Sequence, residues 1–285
     1  MQFAMLALAP VAVFALMVAA DRAFGAPGRG DKYVLRIELP QGEGAIGLPE
    51  VEGPPDAGRP LVVIDAGHGG HDPGAGTGAV REKQVTLMLA RALRDRLLEN
   101  GGIRVALTRG DDRFLSLEER SDIARRLNAD LFISIHADSE EGNQASGASI
   151  YTLSERGSSE IAQRYAAREN GADKVNGVML AGKSDTVGAI LLDLSQRDTE
   201  ARSREFAALV MREARPRMHF RDDAVQSAAF VVLKSPDVPS ALFETGYISN
   251  ESDVARLVSA AGRRDFAEAT ARAIRLFFAR HLQGA

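Results

Sequence analysis

LVVIDAGHGGHDPGAGTGAVREKQVTLMLARALRDRLLENGGIRVALT, residues 61–108, decides the fold. LVVID (61–65) is a short apolar run that ends in a glycine-rich loop, as a strand buried on both faces does. From residue 82 the period becomes helical: Val85, Leu89, Leu93 and Leu97 share one face, and Gly101-Gly102 stops the helix. IRVALT (103–108) is then a second strand. Strand, helix and strand in that order predict an α/β fold.

The pattern continues outward. Ser116 and Glu119 predict a capping box for a helix through about Leu127. LFISIH (131–136), ASIYTL (148–153), AAFVVL (228–233) and SALFE (240–244) read as strands. Residues 156–215 read as mostly helical, and 263–282 as a closing helix. The expectation is one α/β domain over 61–285, a mixed, largely parallel sheet flanked by helices, with a long helical insertion after the fourth strand.

Upstream, residues 1–20 carry no charge and are apolar except for Gln2. Residues 1–26 read as a secretory signal peptide or an N-terminal anchor, and so predict export. Residues 27–60 read as a linker, with five prolines and five glycines between 40 and 60. YVLRIEL (33–39) alternates like a single strand. The 285 residues hold 35 basic and 39 acidic side chains, a net charge of −4 that excludes nucleic-acid binding by bulk positive charge. There is no cysteine, which excludes disulfides, cysteine-type zinc sites, iron–sulfur clusters and thiol nucleophiles.

Polar residues stand where apolar strands end. His68 lies three residues past LVVID, His136 ends LFISIH, and Glu244 ends SALFE. Glu82 begins the helix after the first strand. In α/β sheets, sites form outside the carboxyl ends of strands. Two imidazoles and a carboxylate suit zinc with a fourth position left open. Each residue also has an ordinary structural role open to it, such as a hydrogen-bonded loop histidine or a helix-dipole glutamate. Glu244 is the hardest to read that way, because a charge directly after Ala241-Leu242-Phe243 needs a partner or a task.

IDAGHGGHDPGA (64–75), VREKQV (80–85), TRGDDRFLSLEERSDIA (108–124), DLFISIHAD (130–138) and SPDVPSALFETGYISN (235–250) together resemble the zinc-dependent N-acetylmuramoyl-L-alanine amidases, specifically the periplasmic division-type cell-wall enzymes. The resemblance runs over about 61–282 and implies a peptidoglycan hydrolase of the cell envelope. It implies zinc ligands at His68, Glu82 and His136, and a catalytic acid/base at Glu244. Residues 164–199 resemble that group's regulatory segment, a helix that covers the zinc cleft. Glu169 matches its metal-blocking glutamate, and Ile190–Leu194 forms an apolar patch within the segment. The resemblance also implies a LytM-domain activator protein as partner. It departs at the N-terminus, where only the linker stands in place of a wall-targeting β-domain. A zinc amidohydrolase with another amide substrate, and a non-catalytic wall-binding protein, remain the alternatives.

The remaining histidines, His71, His219 and His281, read as loop or surface residues. Asp65 reads either as an acceptor that orients His68 or as a turn residue. Arg109 and Arg120 read as solvated partners of nearby acids, outside the site.

Overall fold

The computed structural model describes residues 47–139, 145–171, 186–235 and 237–282. The signal segment and the strand expected at 33–39 lie outside the described residues, as do the side chains of the Ile190–Leu194 patch. Among the described residues no helix is long and apolar enough to cross a membrane.

The strands are β1 (Leu61–Ala66), β2 (Gly76–Thr77), β3 (Val80–Arg81), β4 (Arg104–Leu107), β5 (Leu131–His136), β6 (Ala148–Leu153), β7 (Phe220–Ala228) and β8 (Ser240–Glu244). The helices are α1 (Glu82–Asn100), α2 (Leu117–Arg126), α3 (Glu160–Glu169), α4 (Thr186–Ala214), α5 (Glu251–Val258) and α6 (Ala260–Leu282). Six strands form one sheet in the order β4-β1-β5-β8-β6-β7. β4, β1, β5 and β8 run parallel, β6 is antiparallel to β8, and β7 is parallel to β6. The carboxyl ends of β1, β5 and β8 therefore share an edge with the amino ends of β6 and β7.

The central strands read as unbroken apolar runs because both faces are covered. Alternate residues enter opposite cores. Val62, Ile64, Ile133 and Phe243 pack with Leu89 and Leu93 of α1, Phe206 of α4, and Phe266 and Phe277 of α6. Leu61, Val63, Phe132 and Leu242 pack on the other side with Ile123 of α2, Ala162 and Tyr165 of α3, and Phe230. The expected capping box is present: Glu119 N donates to Ser116 Oγ, and Ser116 N to the Glu119 carboxylate. Glu52, within the expected linker, pairs antiparallel with Val105 and covers part of the β4 edge.

AAFVVL is not a strand. The last strand before β8 is Phe220–Ala228, and Val231–Leu233 forms a single 3-10 turn. The polar sequence FRDDAVQSA hides this strand because β7 is at the sheet edge, where one ladder suffices and charges are tolerated. A register shift between Ala148 and Ile150 further breaks its alternation. The apolar FVVL instead fills the core beside α2. The short helix α5 was also unforeseen, although Asn250 caps it by accepting from Ser252 N and Asp253 N.

Candidate metal centre

β1 delivers its glycine-rich loop to the shared edge. His68 there adopts left-handed backbone (φ 60°), which costs a non-glycine residue of order 1–3 kcal/mol. Arg120 Nη2 donates to the His68 carbonyl at 2.9 Å, and the Asp72 carboxylate takes the His68 Nδ1 position at 2.7 Å. With Nδ1 committed, Nε2 faces inward. It has no hydrogen-bond partner of good geometry among the described residues. It lies 3.1 Å from Glu82 Oε2 and 3.6 Å from Glu169 Oε2.

Glu82 opens α1 and joins the loop to β5. Its Oε2 accepts from Ala75 N (2.8 Å) and its Oε1 from Ala137 N (2.9 Å). His136, the last residue of β5, places Nδ1 3.2 Å from Glu82 Oε1 and 3.3 Å from Glu169 Oε2. Glu244 is the register partner of His136 on β8, so the two side chains share a face. Its Oε2 accepts from Asp138 N at 3.1 Å. Two glycines let the rings sit this close to the backbone. A Cβ at Gly67 would lie 2.6 Å from the His136 ring, and one at Gly74 2.6 Å from the His68 ring.

Glu169 arrives from a different layer, as the last residue of α3. Several contacts fix that helix. Ser159 Oγ accepts from Ala162 N and bonds Gln226 Oε1. Tyr165 Oη meets Tyr247 Oη at 2.8 Å. Arg168 pairs with Asp138 and donates to the Ser139 carbonyl. The Asn170 side chain donates to the Ala229 carbonyl and accepts from Val231 N, each at 2.8 Å.

The electrostatics suit a cation. Burial alone would raise the Glu82 carboxyl, yet His68 and His136 hold it well below the usual carboxylate range. Burial alone would lower the His68 imidazole, yet Glu82 and Asp72 push it well above its usual value. Carboxylates that favour a proton on buried nitrogen also favour a dication in its place. Burial, and then the charges of Glu169 and Glu82, push Glu244 well above the carboxylate range.

The donor set fits a small divalent metal. Ligand atoms of His68, His136 and Glu169 all lie within 4.8 Å of one another, and Glu82 bridges the two histidines. Ligands about 2.0–2.2 Å from a tetrahedral ion stand roughly 3.3–3.6 Å apart. The observed separations of 3.1–3.6 Å are close to that.

All five expected site residues thus come together. Arg109 and Arg120, expected as solvated, are instead buried beneath the loop. Arg109 donates to the carbonyls of Ala66, Gly67 and Lys83. Arg120 donates to those of Ala66 and His68 and pairs with Asp65 at 2.9 Å. A glycine-rich loop leaves many carbonyls to satisfy, and a guanidinium supplies five donors. Asp65 does not reach the His68 ring; it accepts from Thr108, Ser134 and Arg120. Asp72 holds that ring and was missed, because spacing inside a loop gives no direction. Arg109 had a usable signal, since it stands two residues past a strand end as His68 does. His71 is exposed against Phe114, His219 is exposed, and His281 is half-buried on Phe277.

The sequence model of the N-acetylmuramoyl-L-alanine amidases matches residues 62–275. Among curated relatives, the amidase AmiA of Escherichia coli K12 is 41% identical over 225 residues, 78% of this chain and 77% of that protein. The amidase AmiC of Neisseria meningitidis is 37% identical over 77% of this chain and 53% of its own length. Among solved structures, the amidase AmiC2 of Nostoc punctiforme superposes with a TM-score of 0.55 at 29% identity, covering 78% of this chain and 98% of that one. The catalytic domain of CwlV from Paenibacillus polymyxa gives 0.56 at 26% identity, covering 77% and 98%. A match that spans the sheet, the metal-type cluster and the closing helix settles the relationship: this chain is a member of the N-acetylmuramoyl-L-alanine amidase family.

Proposed function

We propose that the chain is a zinc amidase of peptidoglycan. It hydrolyses the amide between the lactyl group of N-acetylmuramic acid and the L-alanine of the stem peptide. The observation that carries this reading is the convergence of His68, Glu82, His136 and Glu244 at one sheet edge, in a chain of this family. His68, Glu82 and His136 would hold the zinc. When bound, zinc supplies Lewis acidity, lowering the pKa of a water and polarising the scissile carbonyl. Glu244 takes the proton from the attacking water and returns it to the leaving nitrogen of L-alanine. Asp72 keeps the His68 ring turned with Nε2 inward. The buried arginines hold the loop carbonyls and contribute no proton transfer.

Glu169 has a different task in this reading. Its carboxylate fills the position that substrate and water need, so the described form is the closed one, with α3 as the cover. Glu82 is the better resident ligand, because two backbone N–H groups from separate segments fix it. The Glu169 carboxylate accepts no backbone N–H among the described residues, meets Arg168 of its own helix at 3.5 Å, and lies slightly farther from both rings. Opening falls to a protein partner, for which the resemblance implies a LytM-domain activator. The apolar residues 1–20 and a wall substrate both support export to the cell envelope, with division-linked wall remodelling as the process.

The test is digestion of purified peptidoglycan with product identification, beside a zinc assay. About one zinc per chain is expected for a single three-ligand site, and His68→Ala and His136→Ala should each largely abolish it. Full metal content in both variants would overturn the ligand assignment. Cleavage at another bond would favour the alternative amidohydrolase reading.

A further inference from the structure

One polar group at the active edge has no part in the chemistry above. Arg221 stands at the start of β7. Phe220 turns toward Phe243, with ring centroids 6.1 Å apart. Its contact with Tyr247, which packs with Leu242 and Tyr151 on the Glu244 side of the sheet, puts Arg221 on the face of Glu244. Arg221 Nη1 donates to Tyr247 Oη at 2.6 Å, and its guanidinium carbon lies 5.8 Å from the Tyr247 ring centre. Its acidic neighbour is Asp223 at 3.3 Å, half exposed and so screened by solvent.

The strand between is also polar on this face. Ser149 is the register partner of Glu244 on β6, and Tyr151 follows on the same face. Both are fully buried. Their hydroxyls approach each other, but neither reaches hydrogen-bond geometry with any group of the described residues. Buried hydroxyls without partners are costly. Two buried hydroxyls without partners among the described residues thus lie on β6 between Glu244 and Arg221. Tyr165 of α3 is bonded to Tyr247 on the same face.

We propose that Arg221 binds a carboxylate of the stem peptide, in a subsite completed by Tyr247, Ser149 and Tyr151 and covered by α3 in the closed form. This rests on the amidase reading and specifies which end of the substrate is recognised. Two strand spacings separate β7 from β8, roughly 10 Å, which an extended peptide spans in about three residues. The residue after L-alanine is within that reach, and in stem peptides it carries a carboxylate. A planar guanidinium beside hydroxyl donors suits that group. Tyr165 and the substrate would then compete for Tyr247, so cover and substrate exclude each other at this subsite as well as at the metal.

The test uses two N-acetylmuramoyl dipeptides that differ at one group, L-alanyl-D-glutamate and its D-isoglutamine counterpart. Each is titrated calorimetrically into the full-length, zinc-loaded chain carrying Glu169→Ala to favour opening and Glu244→Gln to prevent turnover. The carboxylate compound should bind about 10- to 100-fold more tightly, the range of a charge-assisted hydrogen bond. Adding Arg221→Gln should bring the ratio to within about twofold of one by weakening that compound alone, and Arg221→Lys should restore part of it. Zinc content should not change. An unaltered ratio, equal weakening of both compounds, or no binding of either overturns the subsite. Turnover by the Glu169→Ala variant with Glu244 intact reports separately on the amidase reading. Cleavage without carboxylate preference keeps the enzyme and sinks the subsite; preference without cleavage does the reverse.

Discussion

Glu169→Ala removes the one side chain by which α3 reaches the metal cluster, at 3.3 Å from His136 and 3.6 Å from His68. The other tethers of the helix stay: the Tyr165–Tyr247 bond, the Arg168 contacts with Asp138 and Ser139, both Asn170 bonds and the Ser159–Gln226 bond. A contact to a charged group is worth about 1.5–3 kcal/mol. If closure holds by more than that, losing it raises the open population about 10- to 150-fold. Hydrolysis of dye-labelled peptidoglycan by zinc-loaded protein should rise by up to the same factor. Adding Asn170→Ala removes two further bonds, worth about 0.5–1.5 kcal/mol each, and should raise the rate again until the open form dominates. A Glu169→Ala protein that keeps its zinc and is no faster than the parent refutes the cover. One that loses its zinc refutes the choice of Glu82 over Glu169 as third ligand.

Three other outcomes follow from the same geometry. Glu244→Gln should keep zinc and lose about 10²–10⁴-fold in rate, measured on peptidoglycan in the Glu169→Ala background; loss of zinc instead would make Glu244 a ligand. Asp72→Asn should weaken zinc binding about 10- to 100-fold in a chelator competition, with little change in thermal unfolding of the metal-free chain; unchanged affinity would remove Asp72 from the metal's support. Burial would raise the Asp65 carboxyl, but Arg120, Thr108 and Ser134 hold it below its ordinary 3.8. Its folded value is therefore the lower one, so its stabilisation is present above about pH 4 and lost as pH falls through the folded value. Asp65→Asn should lower Tm most at neutral pH, and its deficit should shrink on acidification; a deficit independent of pH would contradict this.

The parts of the fold governed by burial were legible. LVVID, LFISIH and SALFE sit between two cores, and their apolar runs admit few other readings. Helix α1 announced itself by period and α2 by its cap. The edge strand β7 was not legible, because an edge may be polar and this one is bulged, while FVVL shows that an apolar run can fill a core without joining a sheet. The same logic divides the site. His136 and Glu244 stand out because a strand end fixes their direction, and Glu82 because a helix start does. Asp72 and the two buried arginines act through loop carbonyls and ring nitrogens. Those partnerships depend on where the loop folds back, which residue spacing does not encode. Glu169 was reachable only through resemblance, since nothing in RYAARENGAD points to a metal.

Helix α3 is spliced into the chain between β6 and α4, and α4 is itself seated in the core through Phe206. If α3 is the cover proposed above, it stays tied to the body at both ends when displaced. Unlike a cleaved pro-segment it cannot diffuse away, and its local concentration near the cleft stays high, in the millimolar range typical of short tethers. Re-closure is then a first-order event, indifferent to how dilute the enzyme is. A partner that opens such a cover would have to remain bound for as long as hydrolysis continues, and its departure would end the activity without any second signal. On that reading, such a tether would confine bond breaking to the places and moments where the partner is engaged, and leave the enzyme intact for the next round.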